Sequence, residues 1–105
     1  MKFKNPVFIK NDVNVTCRLG EISYPPNCKL DIIDADTEEK VGVMTVSRYM
    51  VIPFWAISDE MIANEHDPEA RTFDGLYNVM TKIYGQHYFK NTSTVTLVYF
   101  TVEMY

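Results

Sequence analysis

The amino-acid sequence predicts an α+β fold: a small β-barrel or strongly curved sheet with two helices packed on it. Three observations carry that expectation. Runs rich in β-branched residues recur at 13–19, 29–34, 41–52 and 94–102, separated by Pro, Gly and Asn/Asp turn signals. Between 57 and 84 the apolar residues switch from strand spacing to helical spacing. The last run is apolar on both faces in its middle, so after the helices it returns to pair with the earlier strands as a central strand.

Composition narrows the class. At 105 residues, 47% hydrophobic and 23% charged, the chain supports one globular domain, residues 1–105, and is too short for two. No stretch approaches the roughly 20 apolar residues that cross a bilayer, and polar residues interrupt any signal-like region in MKFKNPVFIKND. A soluble, cytoplasmic protein without membrane association is expected. The formal charge of -4 argues against a broad phosphate-binding surface, so any nucleic-acid contact should be local. Cys17 and Cys28 are too few for a disulfide framework or a four-ligand zinc site and read as buried thiols. His87 has no second ligand near it, and neither a metal nor a cofactor is expected.

Each element has a local reason. Residues 6–10 (PVFIK) and 13–19 read as short strands around the Asn11-Asp12 turn signal. Strand side chains alternate, so Val13, Val15, Cys17 and Leu19 make an apolar face and Asn14, Thr16 and Arg18 a polar one, open to solvent or to a site. The two prolines of Ser23-Tyr24-Pro25-Pro26-Asn27 require a loop. KLDIID (29–34) is the next strand, and the acidic run 34–39 turns the chain. VGVMTVSRYMVI (41–52) is one long strand or two, ended by Pro53.

Ser58 is expected to cap a first helix, with Asp59 and Glu60 in its first turn. After the break at 64–68, Thr72 caps a second, in which Phe73, Leu76, Met80, Ile83 and Tyr84 fall at helical spacing and Gly85 stops the chain. TVTLVYFTV (94–102) closes the sheet.

The order of elements and several strings resemble the ASCH domain, a PUA-like barrel found in RNA-associated proteins and in small bacterial amidohydrolases. EARTFDGLYNVMTKIYG (69–85) is similar to the family segment in which a functional glutamate precedes a helix ending in a tyrosine near a glycine, with the strand TLVYFTVE behind it. Thr16-Cys17-Arg18 is similar to the family's T-x-R strand, and CKLDIID and EKVGVMTV to the strand pair that builds its barrel. The resemblance spans nearly the whole chain and rests on order and spacing.

Carried over, the resemblance implies that Thr16, Arg18 and Glu69 face one pocket for RNA or a nucleoside-type small molecule. There Thr16 would bond a base edge or ribose, Arg18 a phosphate or a base, and Glu69 an exocyclic amine. In the amidohydrolase branch Thr16 and Glu69 would be catalytic, acting on acetylated cytidine. That branch has a lysine three positions before the threonine, where this chain has Val13. Valine cannot activate a hydroxyl, and Lys10 lies too far back along an extended chain to substitute. The family's glycine-aspartate turn is also replaced, by Asn27-Cys28.

Three functions from different classes follow. The first is a binding pocket for RNA or a modified nucleoside around Thr16, Arg18 and Glu69, with Asn14 on the same face. His66 serves there as partner to Glu69 or is plain polar surface, and Trp55 as a stacking aromatic or as a cover over the barrel end. The second is a hydrolase, an amidohydrolase or a ribonuclease. In a ribonuclease the RNA 2′-hydroxyl is the nucleophile, so a carboxylate and an arginine suffice. The third is an acidic protein-interaction module of phage or accessory origin, to which the Asn, Tyr, Met and Lys content and the acidic cluster 31–39 are suited.

Overall fold

The computed structural model describes residues 1–4 and 6–105. Five strands, β1 (Lys2–Phe3), β2 (Asn14–Leu19), β3 (Lys29–Asp34), β4 (Lys40–Pro53) and β5 (Thr94–Met104), form one mixed sheet in the order β1-β3-β4-β5-β2. The β1–β3 pair is parallel and the others antiparallel. The sheet curls into a half-barrel, carrying one α-helix, α1 (Phe73–Tyr84), and three 3₁₀ turns at Phe54–Ala56, Asp59–Ile62 and Pro68–Ala70.

The strand β5 is interior, between β4 and β2, and residues 95–100 are buried on both faces. Its alternation separates two apolar cores. Val95, Leu97 and Tyr99 join Val15 and Cys17 of β2 against Leu76 and Met80 of α1. Val98 and Phe100 join Phe3, Ile32, Met44 and Val46 inside the curl. A bulge in β4 explains how one long strand serves both. Val46 pairs with Phe100 but Arg48 pairs with Tyr99, so Ser47 is an extra residue and the side-chain parity flips. Before the bulge Met44 and Val46 point into the curl. After it the Arg48 guanidinium lies 4.1 Å from the Tyr99 ring on the helix side.

Three local expectations are corrected. Residues 6–10 form no strand: Val7 N–H donates to the His66 carbonyl (2.7 Å), the Val7 carbonyl accepts from Arg71 Nη2 (3.4 Å), and Asn14 supplies further bonds from its side chain. Its Oδ1 accepts Ile9 N–H at 2.7 Å, and its amide donates to the carbonyls of Ile9 (3.0 Å) and Asp12 (3.3 Å). The first expected helix is only the 3₁₀ turn Asp59–Ile62. Ser58 makes no side-chain cap there, and Asp59 accepts the Phe73 N–H (2.7 Å), tying that turn to the start of α1. Lastly, β2 is buried from Asn14 to Cys17 on both faces, whereas Val13 lies outside the strand and is exposed. The second helix stands as expected: Thr72 accepts the Gly75 N–H at 3.1 Å, and Gly85 ends it at φ 89°.

Because Asn14 holds three backbone groups of the 9–12 turn, Asn14→Ala leaves them unpaired. It should lower stability by about 2 kcal/mol, read from the urea midpoint. An unchanged midpoint would show that the turn holds without the amide.

Candidate functional site

The two edges of the sheet, β1 and β2, face each other across a cleft of about 790 Å³ closed by α1 and by residues 65–69. Its wall begins at Thr16, which is fully buried and whose Oγ1 has no hydrogen-bond partner among the described residues. Arg18, two residues on, shares its face. Its Nη2 donates to the Lys2 carbonyl at 3.0 Å, the guanidinium lies 5.0 Å from the Phe3 ring, and the buried Nε has no partner among the described residues. Burial lowers the Arg18 pKa, opposed by the neighbouring Tyr84, Tyr24, Glu65 and Cys17. From so high a starting value the guanidinium stays charged.

Between them Cys17 presents a poor nucleophile. Burial, reinforced by the Glu65 carboxylate and opposed by Arg18, pushes its thiol up to about 12.

The carboxylate buried in this cleft is Glu65, only 2% exposed. Its place follows from backbone pairing with the outer edge of β2. Val15 N–H donates to the Asn64 carbonyl, and His66 N–H donates to the Val15 carbonyl, both at 3.1 Å. Arg71 Nε donates to the Glu65 carbonyl at 2.9 Å and anchors the segment from the other side. One Glu65 oxygen, Oε2, accepts the Asp67 N–H at 3.0 Å. The other, Oε1, lies against His66 Nδ1 in a close contact that lacks hydrogen-bond alignment. The His66 ring packs edge-on to Phe3, centroids 4.9 Å apart.

Glu69 also lines the cleft, but exposed on its rim, on the turn Pro68–Ala70, where its N–H donates to Asp67 Oδ1 (3.0 Å). Thr16, Arg18, His66 and Glu69 therefore share one cleft, and two expected residues do not join them. Asn14 is buried elsewhere on β2 with its amide occupied by the 9–12 turn. Trp55 is 62% exposed away from the cleft, and the neighbouring Phe54 fills the core in its place. Glu65 escaped sequence analysis because nothing in Asn64-Glu65-His66-Asp67-Pro68 marks a residue paired to a strand 50 positions earlier. The only local signal was its adjacency to His66.

Among the described residues no three His, Cys, Asp or Glu side chains are grouped to hold a metal ion, and no helix is long and apolar enough to cross a membrane.

No protein-family model matches the chain, and no curated protein does. Among solved structures, the ASCH domain from Lactobacillus crispatus JV V101 matches with a TM-score of 0.67 at 10% identity, over 88% of this chain and 65% of that one. The chain has an ASCH-like fold. Protein EF3133 from Enterococcus faecalis V583, of the DUF984 family, matches with a TM-score of 0.63 at 14% identity over the same shares. The chain thus spans 65% of the length of each structure.

Within this ASCH-like fold the lysine implied by the resemblance has no counterpart at position 13. Val13 borders a second, shallower pocket of about 280 Å³ with Arg48, Glu60 and Tyr99. The lysines at the main cleft are Lys2 and Lys4 from the N-terminal strand region and Lys82 from α1.

Proposed function

We propose that this cleft binds RNA or a modified nucleoside by the edge of its base. One observation carries the reading: the hydroxyl of buried Thr16 and the buried Nε of half-buried Arg18, both on β2, have no hydrogen-bond partners among the described residues and line the same cleft as the buried carboxylate of Glu65. An unpaired buried polar atom costs about 1–3 kcal/mol, which a ligand offering both donors and acceptors recovers. A base edge offers both. The carboxylate suits an exocyclic amine or ring N–H, the guanidinium a carbonyl or ring nitrogen, and the hydroxyl either. Glu65 takes the inner role that the resemblance gives to Glu69, with Glu69 as a contact at the rim. A cleft of this volume lies in the range of small-molecule sites.

The test is chemical-shift mapping of the ¹⁵N-labelled protein with cytidine, N4-acetylcytidine and a short single-stranded RNA. Shifts are expected at Thr16, Arg18 and Glu65. Thr16→Val and Glu65→Gln should each weaken binding about tenfold, the worth of one hydrogen bond to a charged or buried partner. Shifts that avoid all three residues would refute the reading.

The contact between His66 and Glu65 in the cleft that Thr16 also lines favours a second reading, hydrolysis by general acid-base chemistry. Turnover of acetylated cytidine or RNA that disappears in Glu65→Gln or Glu69→Gln would establish it. Equal turnover in wild type and both variants would dismiss it.

A further inference from the structure

We infer that the base-bearing ligand enters this cleft in phosphorylated form, with the phosphate held between Lys4 and Lys82; the inference rests on the base-binding reading above. Charge distribution is the starting point. The chain carries a net charge of -4, yet four of its ten basic residues, Lys2, Lys4, Arg18 and Lys82, line this one cleft. The charges are also sorted. All the cleft's carboxylates, Glu65, Asp67 and Glu69, lie on the 65–69 segment, whereas the cations come from the N-terminal strand region, β2 and the last turn of α1.

Two of the four cations are already occupied. Lys2 Nζ pairs with Glu38 at 2.8 Å, and Arg18 is fixed by the Lys2 carbonyl and the Phe3 ring. Among the described residues Lys4 and Lys82 pair with no carboxylate, and both are exposed at the mouth. They arise from separate elements, the N-terminal strand region and the last turn of α1, and both line this one cleft. A neutral nucleoside would fill the inner, hydrogen-bonding part of the cleft and leave this cationic end facing water. A phosphate attached to the sugar uses it. Ammonium groups recognise phosphate as point charges, which also explains why no planar fork is needed at that end.

Two sources supply this chemistry, a free nucleotide and an RNA chain. The experiment compares the four ribonucleosides, their 5′-monophosphates and a short single-stranded RNA by calorimetry and shift mapping, with wild type, Lys4→Ala, Lys82→Ala and the double variant. For each base that binds, the monophosphate or the RNA should bind at least tenfold more tightly than the nucleoside at low salt. The advantage should shrink as salt is raised and vanish in the double variant, while nucleoside affinity is unchanged. A monophosphate that binds with the RNA inert indicates a free nucleotide, and RNA binding more tightly than the monophosphate indicates a chain; both support the inference. Nucleosides that bind at Thr16 and Arg18 as tightly as their phosphates overturn it while leaving the base-binding reading intact. If no ligand shifts those residues, both fall.

Discussion

Gly75→Ala should destabilise the protein by about 3 kcal/mol, the upper range for forcing an atom into a packed region. On propensity alone the opposite is expected, since alanine in place of glycine within a helix is worth roughly 0.5–1 kcal/mol of added stability. The reversal comes from what sits above the first turn of α1. A methyl on Gly75 would overlap the carbonyl oxygen of Glu69 and come within 3.0 Å of Thr72 Oγ1. Backbone cannot step aside as a flexible side chain does. The 3₁₀ turn Pro68–Ala70 would have to lift off the helix, and with it the cleft wall bearing Glu65 and Glu69. The expected result is a large drop in urea midpoint together with chemical-shift changes across residues 65–70. A midpoint equal to or above wild type would mean that helix and turn are not in contact.

The second large effect is alkaline destabilisation through Cys17. Folded, its thiol holds the proton to about 12, against an ordinary value of 9.0. Above pH 9 the unfolded chain has therefore lost a proton that the folded chain retains, so stability falls as pH rises. The slope approaches about 1.4 kcal/mol per pH unit, amounting to about 4 kcal/mol by pH 12. Burial also raises Tyr24 and Tyr99, which act in the same direction above pH 10. Comparing wild type with Cys17→Ala between pH 8 and 10 isolates the thiol, because the Met1 ammonium and the two tyrosines contribute equally to both proteins. Cys17→Ala should cost some stability at neutral pH through lost packing, yet show a flatter fall across that window than wild type. Parallel curves would mean that the Cys17 thiol is ionisable in the folded protein.

Local chemistry made α1 legible. Thr72, the spacing from Phe73 to Tyr84 and Gly85 act within a few residues of one another, so the cap, the apolar stripe and the stop can be recognised without knowing the rest of the chain. The strand β5 was legible for a similar reason: a run apolar on both faces has to lie inside a sheet. The same logic misjudged residues 6–10, where apolar character promised a strand. Bonds from the Asn14 side chain and the His66 carbonyl instead hold that segment as irregular chain. It also overstated the element after Ser58, where Asp59 serves the next helix and its own ends as a single 3₁₀ turn.

Alternation along 13–19 separated Thr16 and Arg18 from Cys17 and Leu19, and that separation holds, because the pleat is a property of the strand alone. What alternation could not tell was that the polar face is buried, since burial depends on what the curl of the sheet brings opposite. The same limit applies to the carboxylates. Glu65 and Glu69 carry identical groups four residues apart, and their different fates, one buried against β2 and one exposed at the rim, come from backbone bonds to Val15 and from the anchor at Arg71. Periodicity and capping are written in neighbouring residues and so can be read along the chain. Which polar groups lose their water and meet in one hollow is fixed by pairings between segments far apart, which emerge once the chain has closed on itself.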